Sequence, residues 1–323
     1  MKLVDRVVVQ KTDVVDVHES SFVQKLGKEF VVSVELDPPR GTNPEKLLKA
    51  ARRLEASGID AINIADSPMA RVRMSALALA YLFKQHVDLE IILHFTCRDR
   101  NLMGLQSDLM GAHAVGIKNI LAITGDPPSA GDYPNATAVY DVDSIGLVEI
   151  IRKLNSGTDL AGSSIGKPTE FSIGVGADPS VDDLDRELSR LERKVDAGAQ
   201  FVFTQPLYEL GVAERFVNMA TGLNVPILLG LLPLQSYRHA EFLHNEVPGI
   251  SVPEEHREQL RRAGKQANVK GIAMCRELLK SAKDAFAGVY LMPSFGRYDT
   301  ILDILDGVVQ PQRRTVTKSD NSK

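Results

Sequence analysis

Asn119-Ile-Leu-Ala-Ile-Thr-Gly-Asp126-Pro-Pro128 reads as a strand that stops on an acid. Ile120 to Thr124 is apolar, β-branched at both ends and bounded by turn formers, the pattern of a buried strand. Gly125 lets another group approach the backbone closely, and Pro127 and Pro128 forbid the ladder from continuing. An ordinary Gly-Asp-Pro turn would explain the segment taken alone. The same sequence of strand, acid and helix recurs along the chain, and that recurrence decides the fold.

Upstream, Phe30-Val-Val-Ser-Val-Glu35-Leu-Asp-Pro-Pro39 is a second β-branched run ending on acids and prolines. An amphipathic helix follows over Pro44–Ser57, with proline in its first turn and Gly58 at its end. Then come a strand at Ala61–Ala65, a helix over Arg71–Gln85, a strand at Leu89–Phe95 and a helix running to Gly116. Downstream, the pattern predicts a helix over Ser144–Leu154, a mobile Gly/Ser-rich insertion over Asn155–Lys167, and a strand at Phe171–Val175. A helix over Ser180–Gly198, capped by Ser180 and Gly198, precedes strands at Phe201–Thr204 and Val225–Leu231 with the helix Glu209–Ala220 between them. Helices over Tyr237–Asn245 and Glu254–Phe286, the latter broken near Gly264, precede a last strand at Val289–Met292 and a last helix at Asp299–Leu305. About eight strand–helix units without hairpin signals predict a parallel α/β architecture closed as a (β/α)8 TIM barrel, with extra helices before the last strand. An open doubly wound sheet is the competitor, but no Gly-x-Gly-x-x-Gly fingerprint follows any strand. The expected organisation is a lead-in over residues 1–28, with a short strand at Val7–Val9 and a helical turn at Phe22–Leu26. One barrel domain follows over 29–309, then a disordered tail over 310–323.

Composition narrows the class. The chain has 323 residues, 44% of them hydrophobic, and a net charge of -4 with basic and acidic residues interspersed, so no nucleic-acid footprint is expected. Two cysteines far apart, Cys97 and Cys275, suit a reducing compartment rather than a disulfide framework. No signal peptide is read and apolar runs break well short of the ~18 residues of a membrane span. The expectation is a cytoplasmic protein.

A barrel gathers the carboxyl ends of its strands on one face. Those ends carry Glu35, Asp66, His94, Asp126 and Gln205. Each has a plain structural explanation alone, but together they make a mouth of carboxylates, an amide and an imidazole. No His-x-x-x-His or cysteine pair suggests a metal, and no Gly-x-Ser-x-Gly elbow suggests a serine nucleophile. Acids, an amide and a close-approach glycine suit a nitrogen heterocycle: they hydrogen-bond ring N–H groups, and a carboxylic acid protonates a ring nitrogen. On the helix after the fifth strand, Glu187, Arg190, Arg193 and Lys194 fall at helical spacing. They read either as a solvated salt-bridged surface or as cations reaching a ligand's phosphates.

These motifs, in this order, resemble the methylenetetrahydrofolate reductase family. Val-Ser-Val-Glu35-Leu-Asp-Pro-Pro is similar to its opening strand, His94-Phe-Thr-Cys97 to its third and Thr124-Gly125-Asp126-Pro-Pro to its fourth. Arg193-Lys-Val-Asp-Ala-Gly-Ala199, Thr204-Gln205 and Gly230-Leu-Leu-Pro233 continue the likeness, which runs from about residue 29 to 309. The Thr96-Cys-Arg-Asp-Arg-Asn101 and Val34-Glu-Leu-Asp-Pro-Pro-Arg-Gly41 variants look closest to the reductase module that some bacteria fuse behind a homocysteine methyltransferase domain. The resemblance implies flavin adenine dinucleotide (FAD) across the mouth, contacted by His94, Thr124, Gly125, Asp126 and Tyr140, with Glu187, Arg190, Arg193 and Lys194 toward the diphosphate. It implies reduction of 5,10-methylenetetrahydrofolate to 5-methyltetrahydrofolate, with Glu35 as the ring-opening acid and Asp126 between flavin and pterin. Gln205 would bind the pterin, and Arg297 the folate tail. NADH, NADPH or a partner protein would supply electrons, and homo-oligomeric assembly is expected.

Three positions depart from the family pattern. Ala65 replaces a flavin-binding threonine, Gly174-Val-Gly-Ala-Asp-Pro179 replaces Tyr-Pro-Glu-x-His-Pro, and Leu243 lies near where an aromatic stacks the nicotinamide. Two further readings therefore stand beside the first: direct hydride transfer from NAD(P)H without flavin, and a pterin-binding subunit serving an electron-donor or methyltransferase partner.

Overall fold

The structure is a computed structural model, described here over residues 20–247 and 249–309. Eight parallel strands pair in chain order and close into a barrel, with β1 bonded to β8. They are β1 (Val31–Leu36), β2 (Ala61–Ile64), β3 (Glu90–Thr96), β4 (Asn119–Ile123), β5 (Ser172–Ala177), β6 (Phe201–Pro206), β7 (Ile227–Leu231) and β8 (Gly288–Leu291). The helices are α1 (Ser21–Lys25), α2 (Glu45–Ala56), α3 (Ala76–Lys84), α4 (Leu102–Ala114), α5 (Ser144–Asn155), α6 (Leu184–Ala197) and α7 (Leu210–Ala220). After β7 come α8 (Tyr237–Glu246), α9 (Glu254–Ala263) and α10 (Ala267–Ala282), and α11 (Thr300–Leu305) ends the barrel. The predicted closed barrel with added helices before its last strand is the observed fold. The strand expected at Val7–Val9 and the disordered tail expected over 310–323 lie outside the described residues.

Strand side chains alternate between two cores. Val32, Val34 and Leu36 face the helices, as do Ile91, Leu93 and Phe95, within the larger core. Val31, Ala61, Ile92, Leu121, Phe201, Phe203, Leu228 and Tyr290 fill the barrel itself. That alternation carries Glu35, Asn63, His94 and Gln205, each an even number of residues from a barrel-filling position, to the inside near the carboxyl ends. Phe201 fills the barrel so fully that a Cβ on Gly174 of β5 would sit 2.1 Å from its ring, so only glycine fits there.

Helix α1 closes the floor. Phe22 is fully buried and packs edge-on against Phe201 with centroids 5.3 Å apart. Ser20 donates to Asn119 Oδ1, Ser21 to Glu90, and Asn119 Nδ2 donates to Glu90 Oε2 at 3.0 Å.

Helix starts differ from the sequence expectation at two places. The helix expected from Arg71 begins at Ala76, because Ser75 caps it and accepts from Ala78 N, while Val72 N and Met74 N bond to Asp132 and Pro39 in neighbouring loops. The helix expected from Ser180 begins at Leu184, because Asp183 caps Arg186 N while Ser180 N bonds to Asp178. The insertion after α5 is tied to itself and to α4: Asp159 accepts from Ser163 N at 2.7 Å, and Leu160 N donates to Gln106 Oε1 at 2.7 Å.

Candidate active site

Glu35 is the penultimate residue of β1, and its side chain is only 20% exposed. The Tyr290 hydroxyl, inward from β8, donates to Glu35 Oε2, and His94 Nδ1 from β3 lies 3.8 Å from the same oxygen. Burial lifts the Glu35 carboxyl to about 8, the nearby Asp37 charge adds to the lift, and the Tyr290 hydrogen bond opposes it. Burial pushes the His94 imidazole down to about 3, so it is neutral, and its Nε2 is buried without a hydrogen-bond partner. Asn63, paired in register with Glu35 across β1 and β2, is fully buried with both amide atoms unpartnered. Tyr290 stacks on Phe203 with centroids 4.7 Å apart. The result is a neutral carboxylic acid among unpaired polar groups in an aromatic-walled cup, an arrangement suited to giving up a proton.

Around this cup three loops are tied together by one buried arginine. Arg98 makes a two-pronged contact with Asp99 and donates to Asp126 O at 3.1 Å and Ser67 O at 3.3 Å. Asp66, which the sequence placed at the mouth, is engaged in the protein: its carboxylate accepts from Thr96 N, Thr96 Oγ1 and Arg100 Nη1 at 3.1, 3.0 and 2.8 Å. It ties β2 to β3. Asp126 stands exposed at the rim, and its Oδ2 accepts from Met69 N at 2.8 Å. Tyr140 turns its hydroxyl to Gly125 O and Asp126 O, both at 3.0 Å, and Thr124 Oγ1 accepts from Ser144 N. Gly125 has φ +91°, and a Cβ there would press on Thr96 at 3.0 Å. The loop therefore needs glycine on both counts.

On α6 the four residues separate. Lys194 is buried, donates to Gly176 O at 2.6 Å, and is pushed down to about 8 by that burial. Glu187 accepts from Asp178 N at 3.0 Å. Arg190 and Arg193 are exposed. Gln205 sits exposed beside a register shift between β6 and β7, where Thr204 Oγ1 accepts from Gly230 N. Arg297 donates to Gln235 Oε1 at 3.0 Å.

Tyr290, Asn63 and Arg98 were given no role in the sequence reading. A lone asparagine inside Ala61-Ile-Asn-Ile64 was a usable signal, since a strand interior seldom carries an unpaired amide. Tyr290 and Arg98 gave none without the barrel's closure.

A closed (β/α)8 barrel with a protonatable acid at the carboxyl ends of its strands defines the class to which this protein belongs. The chain is a member of the methylenetetrahydrofolate reductase family, whose family model matches residues 22–293. It is 30% identical over 209 residues to methylenetetrahydrofolate reductase 1 of Schizosaccharomyces pombe, covering 60% of this chain and 32% of that protein. It is 26% identical over 217 residues to 5,10-methylenetetrahydrofolate reductase of Pectobacterium carotovorum, covering 65% of this chain and 66% of that one. The chain thus spans only about a third of the fungal relative's length. Among solved structures, an uncharacterized Clostridium thermocellum protein that binds two copies of 5-methyl-5,6,7,8-tetrahydrofolic acid shares the fold. Its TM-score is 0.59 at 15% identity, over 85% of this chain and 92% of that one. Among the described residues no helix is long and apolar enough to cross a membrane.

Proposed function

We propose that this chain reduces 5,10-methylenetetrahydrofolate to 5-methyltetrahydrofolate, with Glu35 as the acid. The observation that carries the reading is the Glu35 carboxyl, held neutral up to about pH 8 beside Tyr290 and His94. Its proton passes to N10 of the folate, the C–N10 bond of the five-membered ring breaks, and an N5 iminium forms. Hydride adds to the iminium carbon, giving the N5-methyl group. Gln205 and Asp126 are the amide and carboxylate that would meet the pterin. The Clostridium thermocellum protein of the same architecture binds 5-methyl-5,6,7,8-tetrahydrofolic acid, the product of this reaction.

The residues fit a flavin on three counts: the orphaned His94 Nε2, the open space over Gly176 at the end of β5, and the exposed Arg190 and Arg193 for a diphosphate. When bound, FAD would supply a hydride carrier between NADH or NADPH and the folate. Lys194, Glu187 and Tyr140 are already bonded within the protein and would shape that site from behind. The same engaged groups favour a second reading, hydride transfer directly from NAD(P)H.

Absorbance of the purified protein separates the two, since oxidised flavin has visible bands and a nicotinamide enzyme has none. Glu35→Gln tests the acid: it is expected to bind folate and lose its reduction, and wild-type activity falls as pH rises through about 8, where Glu35 ionises. Normal turnover by Glu35→Gln would remove Glu35 from the chemistry.

A further inference from the structure

A pocket of about 270 Å³ opens from Glu35 between the loops that follow β1, β2 and β8. Pro38, Leu47, Pro293 and Tyr298 give it apolar and aromatic faces, and Asn43 and Asp37 line it as well. Two cations line it, Arg73 and Lys46. Lys46 is exposed, and Arg73 Nε is buried with no hydrogen-bond partner. Met74 N, bonded to Pro39 O at 2.8 Å, holds the Arg73 backbone against this loop. Asp37 lines the same pocket, where burial lifts its carboxyl above its ordinary range and the Arg73 charge opposes that lift.

The chemistry of the proposed reaction fixes what must lie here. If Glu35 protonates N10, the aryl group bonded to N10 starts within contact of Glu35. The pocket that Glu35 lines offers that aryl ring proline and tyrosine faces, and the same pocket carries two cations. We infer that this pocket holds the p-aminobenzoylglutamate arm of the folate, with Arg73 and Lys46 taking its glutamate carboxylates. Arg297, which the family resemblance pointed to for this task, instead holds Gln235. The inference rests on the folate reading above and adds to it the residues that select a carboxylated tail.

Equilibrium binding of 5-methyltetrahydrofolate and of 6-methyltetrahydropterin, which lacks the arm, tests it. Both are titrated into the wild-type chain and into Arg73→Gln, Lys46→Glu and Arg297→Gln. Loss of a charge-assisted contact weakens binding roughly tenfold or more. That loss is expected in Arg73→Gln for the folate and not for the pterin, and in the same direction for the exposed Lys46→Glu, whose folding is not at risk. Arg297→Gln is expected to stay near wild type. Unchanged folate affinity in both the Arg73 and Lys46 variants overturns the inference and leaves the folate reading standing. Equal weakening of both ligands overturns it too. A wild-type chain that binds no folate overturns both readings together.

Discussion

Glu35 keeps its proton at neutral pH because its surroundings disfavour its anion, and each contributor can be changed separately. The Tyr290 hydroxyl stabilises the ionised carboxylate and so holds the pKa down from where burial would put it. Tyr290→Phe is therefore expected to move the alkaline limb of the rate–pH profile upward, read from kcat between pH 6 and 10. A limb that moves down would show that the hydroxyl bonds chiefly to the neutral acid, and one that stays in place that it favours neither form. Stability runs in the same direction as activity. Between its unfolded value and about 8 the folded Glu35 keeps a proton that the unfolded chain releases, so stability falls as pH rises through this window. Glu35 was legible in the sequence because an acid followed by prolines closes a β-branched run. Its partners were not: whether Tyr290 or Asn63 faces inward depends on which residue parity the barrel buries, and that is fixed only when β1 closes on β8.

At the level of elements, the loops after β2, β3 and β4 share one buried cation. Arg98 satisfies Ser67 O and Asp126 O, and it sits with its side chain 4% exposed against Asp99. Arg98→Ala is expected to cost roughly 2–4 kcal/mol in urea unfolding, since two loop carbonyls and a carboxylate lose their donor together. A loss under about 0.5 kcal/mol would mean the loops hold their shape without it. The sequence exposed the elements but misplaced the start of α3. Periodicity extends the helix back to Arg71, whereas Val72 N and Met74 N find partners on other loops. Such competition is invisible to local pattern. The partners of Asp66 were hidden for the same reason, since Thr96 and Arg100 come from the next strand and loop.

The alternation of eight strands with helices announced the closed barrel plainly, because short buried strands without hairpins leave few other arrangements. The floor was harder to foresee: Ser20 meets Ser172, 152 residues away in the chain, and no local signal encodes that meeting. Its energetic share is testable. Phe22→Ala is expected to cost about 3–5 kcal/mol, the range for emptying a packed phenylalanine site, while leaving folate affinity near wild type because the residue is far from the mouth. A chemical denaturation midpoint unchanged from wild type would show that the barrel closes equally well without this plug. The same geometry bears on handling. Lys28 lies in the turn after α1 and is solvent-exposed, so a solid support coupled through its amine would grip the molecule by its base and leave the cup around Glu35 turned toward the bulk.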